Sequence, residues 1–425
     1  MIIKPRGTMD ILPEDTPIWQ YIEEKVRRLA ERYGYSEIRF PTFEATELFA
    51  RGVGDTTDVV QKEMYTFFDK DDRSMTLRPE GTACVARSIV ENGKYADVMP
   101  LKYYYIINCF RYEKPAAGRY REFFQFGAEL YGAEGPSADA SVIALADRFI
   151  RELGIKNCTL AINSIGCKDC RPAYRDALIS YFSQHEKDLC DTCKNRLRTN
   201  PLRILDCKCP ECQKIAENAP KTIDYLCPDC AEHMKSVKEM LDEAGIAFTV
   251  DTGIVRGLDY YSRTVFEFIG PTGEFDEDGA EKYLTLCGGG RYDGLIEEIG
   301  GPRLSGIGFG MGIARLIAAM RSSGVQFPGK PAPALYIASL GAAAQKKAFL
   351  LTEQLIDEGI LCECDLVGRS LKAQMKYANK KNARYTAIIG DNEIENGRAV
   401  LRCMDGGEQT EVPFDGIAEF IKNRM

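Results

Sequence analysis

Apolar residues first recur at helical spacing from about Pro17, where Ile18, Ile22, Val26, Leu29 and Tyr33 fall on one stripe and Gly34 closes the run. Short strand-like runs follow at Glu37–Phe40, Met64–Phe68 and Met75–Leu77. Two long ones, Tyr103–Arg111 and Arg119–Tyr131, flank the turn Lys114-Pro-Ala-Ala-Gly118 and predict an antiparallel hairpin. Antiparallel strands with scattered helices predict an α+β fold.

From Cys167 the texture changes to charged helical segments that carry most of the cysteines, which marks 167–235 as an insertion. Strand patterning resumes at Ala247–Asp251 and Thr264–Ile269, then gives way to a glycine-rich stretch. A helix is expected over about Gly310–Met320, with Ile313, Leu316, Ile317 and Met320 on one face. Prolines and glycines across 326–333 mark a linker. Beyond it, runs at Leu335–Ala338, Ala344–Asp357, Leu361–Leu366 and Tyr385–Ile389, with a basic helix between the last two, predict a βαβαβ domain over 334–425. The main domain is then 1–325, interrupted by the insertion.

Composition narrows the function. The 425 residues are 45% hydrophobic and 28% charged, and no 18-residue apolar run is present to span a bilayer. The N-terminus lacks the apolar segment of a secretory signal, so a cytoplasmic protein is expected. A net charge of −8 argues against indiscriminate coating of nucleic acid, which needs many phosphate neutralisations. Only His185 and His233 are present, neither beside a plausible nucleophile, so chemistry must rest on arginine, carboxylate, tyrosine or metal.

Strand alternation places Arg119, Arg121, Phe123, Gln125, Gly127 and Glu129 on one face of the hairpin, opposite Phe124, Phe126, Ala128 and Leu130. The second set is a core face, apart from Glu122. The first is either a solvated sheet surface or a site for a ligand with phosphate, a flat base and an ammonium group. No G-x-x-x-x-G-K-[ST] run is present, and Gly306-Ile-Gly-Phe-Gly-Met-Gly-Ile-Ala-Arg315 breaks the dinucleotide spacing at Met311 and Ile313.

Phe110-Arg-Tyr-Glu113 with Gly118-Arg-Tyr-Arg-Glu-Phe-Phe-Gln-Phe-Gly127 resembles motif 2 of class II aminoacyl-tRNA synthetases. The 306–315 run resembles their motif 3, with Ala314 where the family often has an acid, and Ile38-Arg-Phe-Pro41 resembles motif 1, whose proline lies at a dimer interface. Thr76-Leu-Arg-Pro-Glu-Gly-Thr82, Arg256-Gly-Leu-Asp-Tyr-Tyr261 and Cys287-Gly-Gly-Gly-Arg-Tyr-Asp-Gly-Leu295 resemble signatures of histidyl-tRNA synthetases in particular. The resemblance implies a class II antiparallel sheet, a homodimer, a C-terminal anticodon-binding domain, and L-histidine, ATP with Mg2+ and tRNA(His) as substrates.

Carried over residue by residue, it puts Arg111, Glu113, Phe123 and Arg315 on ATP. Glu80, Gly81, Thr82, Arg111, Gln125, Glu129, Arg256, Tyr260 and Tyr261 fall around histidine. Arg111 and Arg256 are then the catalytic pair at the α-phosphate, where guanidinium groups hold the phosphate and stabilise its developing charge.

The chain has 16 cysteines. The pairs Cys167/Cys170, Cys190/Cys193, Cys209/Cys212 and Cys227/Cys230, with Cys207 nearby, have the C-x-x-C spacing with which two thiolates grip one ion. Two structural zinc sites and a set of reduced, partly buried thiols both fit. Between Arg369 and Arg384 no acid occurs, and Lys372, Lys376 and Lys380 form one helical stripe, which with Arg369 suits RNA phosphates. Two rivals stand beside the enzyme: the synthetase-like regulatory subunit of ATP phosphoribosyltransferase, and a zinc-dependent RNA-binding protein without chemistry. The first generally lacks the C-terminal domain and degrades the arginine positions; the second leaves the polar hairpin unexplained.

Overall fold

A computed structural model describes residues 1–55, 57–116, 118–205, 207, 209–254, 258–276 and 278–424. They form two compact units, Met1–Pro328 and Gly329–Met425. In the first, β1 (Ser36–Glu37) lies at one edge of an eight-stranded sheet, and β2 (Phe43–Ala45), β3 (Tyr65–Phe68) and β4 (Ser74–Leu77) make a separate small sheet. The large sheet continues with β5 (Leu101–Phe110), β6 (Glu122–Tyr131), β7 (Thr159–Ser164), β8 (Thr249–Val250), β9 (Ser262–Phe275), β10 (Glu281–Arg291) and β11 (Gly306–Gly312). Its order is β1-β5-β6-β11-β10-β9-β7-β8, antiparallel throughout except for the two edge pairs.

One face of this sheet is covered by the helices Thr16–Arg32, Pro136–Glu152, Pro228–Glu243 and Ile313–Ser322, whose apolar stripes pack on Phe126, Ala128, Phe266, Phe309 and Met311. The expected residues Ile313, Leu316, Ile317 and Met320 are all buried there. The other face carries the helix Thr82–Glu91 at one end and is open at the other. Insertion helices Arg171–Gln184, Asp191–Thr199 and Pro210–Glu217 share a small core of their own around Tyr174, Leu178 and Phe182. The next helix, Pro228–Glu243, starts among the cysteines but buries Met234, Val237 and Leu241 in the main core.

Two expectations need correction. The glycine-rich stretch after Ile269 is two full strands, β10 and β11, that complete the centre of the sheet. Arg119 and Arg121 do not belong to the strand face assigned to them, because β6 begins only at Glu122. The Arg121 N–H is taken by the Gly7 carbonyl at 2.7 Å, so the N-terminal segment interrupts the ladder, and the Arg121 guanidinium lies on the Tyr112 ring.

The second unit has β12 (Leu335–Ser339), β13 (Cys362–Cys364), β14 (Tyr385–Ile389), β15 (Arg398–Cys403) and β16 (Gln409–Pro413) in the order β13-β12-β14-β15-β16. The helices Ala342–Asp357 and Leu371–Lys380 give the βαβ crossover connections that a parallel β13-β12-β14 core requires.

Candidate active site

The open sheet face forms a cleft of about 290 Å³. Its floor follows from register. Tyr105, Gly127, Gly310, Gly288 and Glu267 stand directly opposite one another across β5, β6, β11, β10 and β9. Directly paired residues share a face, so three consecutive strands contribute no side chain to that row and leave a trough. The next row is Glu129, Gly308 and Gly290. A methyl group on Gly308 would overlap the Glu129 carboxylate, and one on Gly310 the Gln125 amide. Both side chains therefore lie over bare backbone, which is why strands otherwise hostile to glycine are rich in it.

One wall is the start of the helix Thr82–Glu91. Glu80 is buried, and its two oxygens accept the Thr82 and Ala83 backbone N–H groups, each at 2.7 Å. Burial pushes its pKa up, partly offset by those N–H groups and by Arg111. Arg111 follows β5 and is held by the Pro79 carbonyl at 2.8 Å, with Phe123 under its guanidinium. Glu113 stands 3.9 Å from both Arg111 and Arg119.

Arg315, from the helix after β11, donates to the Gly118 and Thr285 carbonyls at 3.1 and 2.7 Å. Burial lowers its pKa, and so do Arg119 and Arg111. Three guanidinium groups within mutual electrostatic reach, partly desolvated, suit a polyanion. Tyr260 and Tyr261 close the opposite side with rings 4.6 Å apart.

Glu80, Thr82, Arg111, Glu113, Phe123, Gln125, Tyr260, Tyr261 and Arg315 all line this one cleft. Glu129 instead lies fully buried beneath it. Its carboxylate accepts the Thr82 hydroxyl at 2.8 Å, the Tyr105 hydroxyl at 2.9 Å and the Tyr292 hydroxyl. Burial pushes Glu129 up to about 8, while the three hydroxyls pull against that shift. Gly81 packs against the Tyr105 ring with no room for a side chain. Arg256 lies outside the described residues.

A sequence model described as histidyl-tRNA synthetase matches residues 7–316, and one described as an anticodon binding domain matches 334–424. The chain belongs to the histidyl-tRNA synthetase family. It is similar to the histidine–tRNA ligase of Acetivibrio thermocellus, 50% identical over 98% of this chain and 99% of the relative. That of Caldicellulosiruptor saccharolyticus is 51% identical over 99% of both. Among solved structures, apo S. aureus histidyl-tRNA synthetase matches at 39% identity and a TM-score of 0.84, covering 99% of this chain and 100% of that one.

Beside these residues the cleft contains Glu267 and Thr285, which sequence reasoning did not assign to it, and Arg119, which was expected on the polar face of the hairpin. Glu267 had a signal: it alternates out of phase with Phe266 and Phe268 in the otherwise apolar run Val265–Ile269. Thr285 donates to it at 2.8 Å.

In the second unit Lys372 and Lys376 are exposed on the helix Leu371–Lys380. Arg369 differs: it is half-buried, paired with the buried Asp365 at 2.7 Å and stacked on Tyr377, so part of its work is to fix the helix entry. Among the cysteines, Cys167, Cys170, Cys227 and Cys230 come together as one group, and Cys190, Cys193 and Cys212 gather with Cys207. Cys209, expected as a partner of Cys212, is outside the group. It precedes the helix Pro210–Glu217, and its thiol turns to Glu211 at 3.0 Å. No helix among the described residues is long and apolar enough to cross a membrane.

Proposed function

We propose that the chain activates L-histidine with ATP in this cleft and passes the histidyl group to the 3′ end of tRNA(His). The observation that carries the reading is the union in one cleft of a helix-capping carboxylate, Glu80, with the guanidinium groups of Arg111 and Arg315. Glu80 and Thr82 receive the histidine ammonium, Gln125 the backbone, and Tyr261 the imidazole, with Glu129 buried beneath and fixed by the Thr82, Tyr105 and Tyr292 hydroxyls. ATP lies toward Arg111, Glu113, Phe123 and Arg315, with Mg2+ arriving as part of the ATP substrate.

The ionised histidine carboxylate attacks the α-phosphorus, the bond to the β-phosphate oxygen breaks, and pyrophosphate leaves. Arg111 stabilises the charge that grows on the α-phosphate. Arg256 is the second cation in this reading, carried by the family resemblance alone. A 3′-terminal tRNA hydroxyl then attacks the carbonyl of the adenylate and AMP leaves. The chain works in the cytoplasm as a homodimer, with the exposed Phe43–Phe67 pair and the exposed Phe68 offering an apolar surface for the partner.

The test is charging of tRNA(His) with labelled histidine, compared with the variant Lys372→Glu/Lys376→Glu. The wild type is expected to charge, and the double variant to charge poorly at moderate salt while keeping pyrophosphate exchange. No charging by the wild type in the presence of ATP and magnesium contradicts the reading; unchanged charging by the variant removes the basic helix from it.

A further inference from the structure

Four sulfurs around one zinc ion at about 2.3 Å form a tetrahedron whose edges are about 3.8 Å. In the first cysteine group, Cys167 Sγ lies 3.7 Å from Cys170 Sγ and 3.9 Å from Cys227 Sγ. In the second, Cys190 Sγ lies 3.8 Å from Cys207 Sγ. Within each group all four sulfurs are within 4.8 Å of one another. These separations are far longer than the roughly 2.05 Å of a disulfide. Backbone N–H groups also point at sulfur, from Cys227 to Cys170 at 3.1 Å and from Cys190 to Cys212 at 3.3 Å, which is how thiolates in a metal shell are satisfied. Five of the eight side chains are buried, and four thiolates so close together repel without a cation.

The two groups are nested. Cys190 to Cys212 lies inside the loop closed by Cys167/Cys170 and Cys227/Cys230. The small cluster around Tyr174, Leu178 and Phe182 is a modest core for this segment, and small units of this kind are commonly held by a metal.

We propose that the insertion holds two structural zinc ions, one in Cys167/Cys170/Cys227/Cys230 at its root and one in Cys190/Cys193/Cys207/Cys212. The root site also braces the cleft. Gly166, one residue before Cys167, accepts the Arg263 N–H at 2.8 Å, and Arg171, one residue after Cys170, donates to the Tyr261 carbonyl. The inner site supports Arg196 and Arg203, both paired with Asp58, and Asn200, which reaches Asp259 at 3.4 Å. Both ions thus stiffen segments that border residues 258–261. This bracing rests on the histidine reading of Tyr261, whereas the metal count does not.

The experiment is elemental analysis of the full chain purified without chelator, with X-ray absorption at the zinc edge. Two zinc per chain in an all-sulfur shell near 2.3 Å is expected. Cys207→Ser and Cys230→Ser should each lower the count to about one, and Cys209→Ser should keep two. Where a variant does not fold, stepwise mercurial release from the wild type, read with a zinc dye, should yield two equivalents. Fewer than one zinc per chain, iron in its place, or a Cys209→Ser loss equal to that of Cys207→Ser overturns the assignment. Arg171→Met should keep both ions and raise the KM for histidine several-fold; an unchanged KM overturns the bracing alone.

Discussion

Replacing Arg111 with alanine is expected to slow histidine-dependent ATP–pyrophosphate exchange by about 10²–10³-fold, the loss seen when one preorganised donor to a developing oxyanion is removed. Most of the loss should fall on kcat, because the guanidinium meets charge that grows on the phosphate between ground and transition state. Its position is already set: the Pro79 carbonyl takes Nε and the Phe123 ring supports the guanidinium plane. Lysine should not restore the rate, since it lacks the planar fork. A similar loss is expected for Arg256→Ala. An Arg111→Ala rate within a few-fold of the wild type would remove Arg111 from the chemistry.

The second large effect concerns stability. Arg291 is fully buried in β10, and its guanidinium donates to Asp139, to Asp293 at 3.1 Å and to the Ala133 carbonyl at 3.0 Å. His233 reaches the same Asp139 at 3.1 Å, so this network pins the helix that leaves the cysteine insertion to the back of the sheet. Arg291→Leu leaves a buried carboxylate without its main counter-charge and should cost about 3–5 kcal/mol in urea unfolding.

Burial pushes the Asp139 pKa up, but His233 and Arg291 outweigh it and hold the carboxyl below its ordinary value. A depressed folded pKa gives stability that is present above the unfolded value of about 3.9 and drains away as pH falls through the folded one. The wild type should therefore keep this contribution at pH 5 and lose it below about pH 4. The variant should lack the Arg291 share of it throughout and keep only the part that His233 supplies. A cost under about 1 kcal/mol would show that Arg291 contributes no more than an exposed pair.

Much of the site was readable because β5 and β6 obey a two-residue period, which separated Phe126, Ala128 and Leu130 from Gln125 and Glu129 without coordinates. What escaped has identifiable causes. The strands β10 and β11 carry Gly288, Gly289, Gly290, Gly306, Gly308, Gly310 and Gly312, and glycine has no side chain with which to mark alternation. Their burial comes from tertiary contact with Glu129, Gln125 and Tyr261, which no local pattern reveals. The start of β6 depended on Gly7, more than a hundred residues away.

Cys207 and Cys209 have nearly equal claims by spacing, and only the helix beginning at Pro210 decides which sulfur faces inward. The depth of Glu129 was equally hidden. A strand position says which face a carboxylate takes, and the hydroxyls of Thr82, Tyr105 and Tyr292 come from three separate segments.

The reading as a whole is tested most directly by ATP–pyrophosphate exchange run with the wild-type chain and each of the twenty amino acids in turn. A cleft that hydrogen-bonds an imidazole should reject side chains lacking its nitrogens by about 10⁴-fold or more, so exchange should appear with histidine alone. Exchange with none of the twenty, or with an amino acid other than histidine at a comparable rate, would contradict it.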